Sequence, residues 1–334
     1  MKNTLPKQFR MVKDQALLKK LEAGLERVEA RLIEATTHTD PVAKDAARHL
    51  VNAGGKRIRP VLVLLAAQLG DPDKSEVIDS AVVAEITHLA TLYHDDVMDE
   101  APTRRGVPTA HKIWGNSLAI LTGDLLFARA SQVAAYLGDE IIRLQSSTFE
   151  RLCLGQMHET VGPNENQDPI EHYIRVLADK TGSLIAASAE MGLLASGGDR
   201  AYVEPLVEFG EAVGVAFQLI DDVLDIAPEG ESGKTPGTDL RAAVPTLPVL
   251  LLRKMAKTDD DARALLQRID GDLSNDEVLA QVVVDLRNHP AAKAAEEDAR
   301  RWAQKAISAI DPLPDGSIKD ALTTFANAVV DRSN

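Results

Sequence analysis

Cysteine is almost missing: Cys153 stands alone in 334 residues. No disulfide can form within the chain, and no zinc site can rest on cysteine ligands. Aromatic residues make up 4%, and the apolar/polar alternation that marks strands is rare, so a sheet-rich fold has little to build on. Positive charge is short as well. The formal net charge is −14, which argues against a nucleic-acid backbone as a general partner and leaves room only for a local basic patch on a small anion. No run approaches the ~18 apolar residues of a membrane span. PVLVLLAAQLG and PTLPVLLLRKM suit buried helices instead. The opening MKNTLPKQFRMVKDQALLKK lacks the apolar core of a secretory signal. No Ser-His-Asp or catalytic-cysteine arrangement stands out. These absences together predict a soluble, cytoplasmic protein in a reducing compartment.

What is present forms helices. Ala and Leu are abundant, and 45% of residues are apolar, enough to bury a substantial core. Pro60 suits the first turn of a helix running to Gly70, and Ser75 is placed to cap one that continues to Met98. APTRRGVPT breaks that helix. Further helices are predicted over 116–137, 139–160, 169–195, 199–227, 245–256, 259–269, 275–287, 290–309 and 315–331, separated by GPNENQDP, SGGD, APEGESGKTPG and shorter turns. No composition shift marks a boundary. Residues 1–334 are therefore expected to form one all-α domain, with a motif-bearing core at about 50–250 and closing helices at about 256–331.

Two apolar helices end in the same acidic pattern. ITHLATLYHDDVMDE carries Asp95, Asp96 and Asp99; VGVAFQLIDDVLDI carries Asp221, Asp222 and Asp225. Residues three and four apart share a helix face, so each DDxxD cluster directs carboxylates toward one point. Like charges beside apolar residues are costly unless a cation offsets them. All-oxygen ligation suits magnesium, which takes one or two carboxylates plus waters and substrate phosphates. Two such banks facing each other can hold a diphosphate through bridging metal ions. The plainer alternative is that each acidic pair marks a solvated helix end.

Basic residues supply the complement. GGKRIRP at 54–60 sets Lys56, Arg57 and Arg59 before a helix, and Gly54 and Gly55 permit a close backbone approach. Three cations at a helix N-terminus make an anion site. Arg104 and Arg105 follow the first aspartate cluster by five and six residues. Lys180 and Thr181 open KTGSL within a helix, and Lys234 sits in the Gly/Pro loop after the second cluster. Taken singly, each of these is a surface charge.

As an ordered set over roughly residues 50–250, GGKRIRP, HDDVMDEAPTRRG, WGN, the Gly-Asp at 123–124, KTG, FQLIDDVLD and GKTPGTDL resemble the trans-isoprenyl (polyprenyl) diphosphate synthases. HLATLYHDD is similar to the corresponding segment of the bacterial long-chain type. The resemblance implies an isoprenoid synthase-like helical bundle around a central cavity. It implies a prenyltransferase that joins isopentenyl diphosphate head-to-tail to an allylic diphosphate, farnesyl or geranylgeranyl. By the same resemblance about three Mg2+ ions are held by Asp95, Asp96, Asp99, Asp221, Asp222 and Asp225. Arg104, Lys180 and Lys234 then contact the allylic diphosphate. Lys56, Arg59, His88 and Arg105 bind isopentenyl diphosphate, and Thr181 and Gln218 position the reacting centre. Spacing alone favours reading His88 as a satisfied core histidine. One departure stands out: DLRAAVPTLP places Val244 where many relatives have a second lysine, so one allylic contact is absent.

Product length follows from the first motif. In similar enzymes, bulky residues four and five positions before the first aspartate form a floor. Here they are Thr91 and Ala90, both small and about 6 to 7.5 Å below Asp95 at ~1.5 Å per residue. Thr87 and Ala84 further down are also small. The expected product is a polyprenyl diphosphate of about C30 to C45, suited to a quinone side chain. If Phe127 or a partner subunit supplies a floor instead, the chain is a geranylgeranyl diphosphate synthase. A class I terpene cyclase fits less well, because the second motif is another DDxxD and GGKRIRP provides a second diphosphate site. A non-catalytic subunit fits less well because both motifs are complete. The resemblance also implies a homodimer, and a long product implies transient membrane contact on release.

Overall fold

The structure, a computed structural model, describes residues 5–228 and 236–331. In chain order the helices are α1 Gln15–Ala35, α2 Pro41–Asn52, α3 Ile58–Ala66, α4 Ser75–Met98, α5 Ala110–Trp114, α6 Asn116–Tyr136, α7 Asp139–Val161, α8 Pro169–Leu177, α9 Ser183–Ser196, α10 Val203–Asp225, α11 Thr238–Arg241, α12 Leu247–Met255, α13 Asp260–Ile269, α14 Asp276–Asn288, α15 Pro290–Ala309 and α16 Ser317–Val330. Among the described residues the strands are β1 Thr103–Arg104 and β2 Val107–Pro108, antiparallel with Thr103 opposite Pro108. The all-α expectation holds.

Helix starts follow local chemistry. Asp14, Asp40, Asp168, Asp259 and Asn275 each accept backbone N–H bonds at the starts of α1, α2, α8, α13 and α14. Ser75 does not cap α4. It lies inside the first turn with its hydroxyl on Glu76, and Lys74 holds the cap position. The helix expected over 169–195 is interrupted: a π turn at Ala178–Gly182 separates α8 from α9.

The chain groups into two compact units, each assembled from separate stretches: Met1–Leu152, Ser183–Gly210 and Ile310–Thr324 in the first; Cys153–Gly182, Glu211–Ala309 and Phe325–Asn334 in the second. In the first unit α4 is packed by α1, α3, α6 and α9. It is apolar on every side, with Val77, Val82, Val83, Ile86, Leu89 and Tyr93 fully buried, as a helix surrounded by neighbours must be. The Tyr93 hydroxyl donates to the Ala46 carbonyl at 2.5 Å and accepts from the Leu50 N–H at 3.3 Å, tying α2 to the C-terminal half of the aspartate helix. In the second unit Val249, Leu252, Leu265, Val282, Leu286 and Ala291 share a core across α12 to α15.

One helix exceeds its sequence reading. α6 is long and apolar enough to cross a membrane by length and composition, although 44% of the window is buried. Asp124 and Arg129 interrupt the run, which hid it from a count of consecutive apolar residues. Its buried side lies against α4, while Ile120 and Leu121 remain exposed.

Candidate active site

The first aspartate cluster closes α4. Asp96 is buried, and its Oδ1 accepts from both Nε and an Nη of Arg104 at 2.6 Å. Its Oδ2 is buried with no hydrogen-bond partner. Burial raises the Asp96 carboxyl above its ordinary value, with Arg104 opposing. Asp95 is half-buried and Asp99 is exposed at the helix end. The next residues turn sharply. Glu100 (φ 51°) and Arg105 (φ 54°) are left-handed, a conformation costing non-glycine residues roughly 1–2 kcal/mol, and β1 and β2 pair around Arg105. At the WGN segment Trp114 meets the His49 ring edge-on at 5.3 Å.

Behind Asp95, His94 explains the Gly-Asp at 123–124. Its ring lies where a Cβ on Gly123 would fall, and its Nε2 is 3.3 Å from Asp124 Oδ1. Phe127, one turn on, is 5.9 Å from the His94 ring and stacks on Phe149 of α7 at 3.7 Å between centroids.

Thr91 and Ala90 part company. Thr91 is partly exposed and donates its hydroxyl to the His88 carbonyl at 2.8 Å. Ala90 has no exposed surface, nor does Ala84, and Thr87 keeps only 1%. The expectation that Ala90 borders open space is thus corrected: its side of α4 is filled by the neighbouring helices, and its small size serves their packing.

Arg57 and Arg59 of GGKRIRP and Arg105 of the loop after α4 converge on Glu85 in the middle of α4. Arg57, the left-handed residue before α3 (φ 52°), pairs with Glu29 and with Glu85, the latter at 2.8 Å. Burial works against its charge, but Glu85 and Glu29 outweigh it and hold the guanidinium above its ordinary value. Arg105 donates to the carbonyls of Leu50 (3.1 Å) and Gly54 and lies 3.8 Å from Glu85. Gly55 takes a φ of 153°, which L side chains rarely adopt, and a Cβ there would sit 2.7 Å from the Arg105 guanidinium carbon. Arg59 presents a buried Nε with no partner. Burial, with Arg105 adding to it, pushes Arg59 down to about 10 against the pull of Glu85. Burial and then the surrounding Arg59, Arg105, Arg57 and Arg104 hold His88 well below its ordinary value, so it is a neutral imidazole. Lys56 is exposed beside them.

The second cluster, in the other unit, is braced differently. Asp222 is buried, and its Oδ2 accepts from the Tyr173 hydroxyl at 2.7 Å and from the Leu247 N–H at 3.1 Å, the first amide of α12. Burial pushes Asp222 up to about 7 despite those two donors, with Asp239 and Asp221 adding to the rise. Asp225 accepts from the Asp239 N–H at 3.1 Å, and Asp221 is half-buried. Lys180 and Thr181 sit in the π turn rather than in a regular helix, and Lys180 pairs with Glu159 at 2.5 Å. Such turns re-aim side chains at functional sites. Gly155 and Gly182 allow this, because a Cβ on either would press the backbone of Lys180 (2.9 Å) or of Glu211 (3.0 Å). Gln218 lies half-buried on α10. Val244 is 40% exposed, and Lys234 lies outside the described residues.

Among the described residues no three His, Cys, Asp or Glu side chains converge to hold a metal unaided. The carboxylates of each DDxxD therefore do not meet three at a point, and an ion held by them needs water or phosphate to complete its shell. The all-oxygen donor set and the unpartnered Asp96 Oδ2 fit such an ion. Four residues of the site escaped the sequence reading: Glu29, Glu85, Glu159 and Tyr173. Glu85 carried a signal, being an acid inside the apolar run SAVVAEITHLATLY, where a buried carboxylate needs a partner. The others carried none.

A sequence model described as polyprenyl synthetase matches residues 40–286. The chain is 43% identical over 314 residues to the nonaprenyl diphosphate synthase of Mycobacterium tuberculosis, covering 93% of each. Its fold matches geranylgeranyl pyrophosphate synthase from Corynebacterium glutamicum, solved with calcium and isoprenyl diphosphate, with a TM-score of 0.87 and 40% identity over 96% of this chain and 99% of that one. A decaprenyl diphosphate synthase from Rhodobacter capsulatus matches with a TM-score of 0.85 and 31% identity over 96% and 99%.

Proposed function

This chain belongs to the polyprenyl synthetase family, and from that premise we propose that it condenses isopentenyl diphosphate with an allylic diphosphate to make a long-chain trans-polyprenyl diphosphate. The observation that carries the reading is the basic pocket of the first unit. There Arg59 with an unpartnered Nε and Arg105 gather around one buried carboxylate, Glu85, with neutral His88 among the same arginines and Lys56 exposed at the edge. A cyclase has no use for a second diphosphate site.

In this reading Asp95, Asp96 and Asp99, with Asp221, Asp222 and Asp225, are the magnesium ligands. Magnesium supplies positive charge to the departing diphosphate. Arg104 and Lys180 add fixed cations at the allylic diphosphate once freed from Asp96 and Glu159, and Lys234 joins them. Lys56, Arg59 and Arg105 bind the diphosphate of isopentenyl diphosphate, and His88 offers it a neutral N–H. Thr181 and Gln218 position the reacting carbons. The allylic C–O bond breaks, the isopentenyl alkene forms the new C–C bond, and the proton lost from it goes to the departing diphosphate. Apolar walls keep water from the cation.

The nonaprenyl relative supports a product of about C30 to C45, and the geranylgeranyl relative marks the alternative. The exposed Ile113, Ile120 and Leu121 on α5 and α6 support a homodimer. Purified protein given magnesium, farnesyl diphosphate and labelled isopentenyl diphosphate is expected to yield products beyond geranylgeranyl, from a particle of twice 36.0 kDa by sedimentation. A stop at geranylgeranyl diphosphate selects the shorter-chain alternative. Absence of magnesium-dependent condensation with every allylic primer overturns the assignment.

A further inference from the structure

The three cations of GGKRIRP differ in what their donors meet. A guanidinium has five N–H donors and no acceptor. All five of Arg57 are engaged by the protein. Nε and one Nη2 donor go to Glu29, an Nη1 donor goes to Glu85 at 2.8 Å, and the carbonyls of Gly54 (3.3 Å) and Val51 (3.2 Å) accept the other two. Arg57 has no donor left for a diphosphate oxygen. Arg105 arrives from the loop after α4 and uses two of the same acceptors, the Gly54 carbonyl and Glu85. Arg59 contrasts with both: its Nε is buried without a partner.

We propose that Arg57, Glu85 and Glu29 are positioning residues, a clamp that fixes the Gly54–Lys56 turn and Arg105 relative to Arg59 and His88 so that an incoming diphosphate meets a preformed cradle. The proposal rests on the assignment of that cradle to isopentenyl diphosphate. Three features carry it. Arg57 and Arg105 are both left-handed, a backbone state that persists where surroundings over-determine it, and here the shared acceptors do so. Glu85 is 2% exposed and lies among Arg57, Arg59 and Arg105, so its charge offsets their mutual repulsion. Glu29 anchors the clamp to α1, outside the loops that carry the pocket. Donors fixed in advance need no ordering when the ligand binds.

Arg57→Lys keeps the charge but replaces a planar fork with a point donor that cannot span Glu29, Glu85 and two carbonyls. The expected result is a rise of about tenfold or more in KM for isopentenyl diphosphate, with KM for the allylic substrate within about twofold and kcat little changed. Glu29→Gln leaves the Arg57–Glu85 pair in place and is expected to give a smaller rise in the same parameter; it also serves if Arg57→Lys does not fold. Arg59→Ala is the reference. If it leaves the isopentenyl KM unchanged, the pocket assignment fails and the clamp with it. If Arg59→Ala raises that KM while Arg57→Lys and Glu29→Gln do not, the pocket stands and the clamp is overturned. Equal changes in both KM values, in kcat and in unfolding temperature assign Arg57 to the fold at large and also overturn it.

Discussion

Asp222→Asn is expected to abolish condensation and at the same time to stabilise the metal-free protein. As a magnesium ligand, Asp222 contributes charge where the leaving diphosphate develops it. Removing one such group costs on the order of a thousandfold in kcat. The stability effect has the opposite sign. Burial disfavours the charged form and pushes the carboxyl up to about 7 in the folded chain, from an ordinary value of 3.8. Between those values the folded state holds the proton more tightly than the unfolded state does. Stability of the metal-free protein therefore falls as pH rises from about 4 through 7 and stays low above that. The full penalty is on the order of 4 kcal/mol. Asparagine keeps an oxygen for the Tyr173 hydroxyl and the Leu247 N–H and carries no charge to desolvate.

Thermal unfolding in chelator should thus show the variant several degrees above the parent at pH 8, with the gap closing toward pH 5. Magnesium with diphosphate should raise the parent and leave the variant where it is. A variant that is less stable than the parent at pH 8 would show that Asp222 braces α12 through its charge rather than being held there at a cost.

Phe127→Ala is expected to lengthen the product by at least one isoprene unit. Phe127 stacks on Phe149 and lies beside His94, the residue before Asp95; in the proposed reading this pair borders the growing product. Removing the ring opens a space of roughly the bulk of one isoprene unit and destabilises the fold by about 3–5 kcal/mol. Products are sized by chromatography at a temperature below the variant's unfolding. Two companions separate wall from core. Thr91→Phe, at a partly exposed position, should shorten the product in a folded enzyme. Ala90→Phe, at a position with no exposed surface, should chiefly overpack α4 against its neighbours and lower the unfolding temperature. An unchanged product from Phe127→Ala, with a shortened one from Thr91→Phe, would place the floor on the α4 face alone.

These outcomes depend on details that differ in how legible they were. The helical texture was plain from Ala, Leu and the 3.6-residue period, and α4 and α13 fall almost where the turns and apolar spacing put them. Both aspartate motifs and the basic stretches were equally plain, because each is a local run whose chemistry needs no distant partner to be recognised. Ala90 and Thr91, adjacent and alike in size, could not be told apart, since only the helices around α4 decide which is covered. Nor could the π turn at Ala178–Gly182 be seen, as Lys180 and Thr181 sit in a stretch that scores as ordinary helix.

By itself, then, the sequence determined the all-α class, the two carboxylate clusters and the cations that answer them. Periodicity and charge spacing are properties of a chain's own neighbourhood. The tertiary structure alone decided that Arg57 is consumed by Glu29 and Glu85 while Arg59 keeps a buried unpartnered donor. It alone decided that Tyr173 and the start of α12 hold Asp222. Those partners lie 28, 49 and 25 residues away along the chain. Burial and hydrogen-bond pairing over such separations are fixed by packing, which no local pattern records.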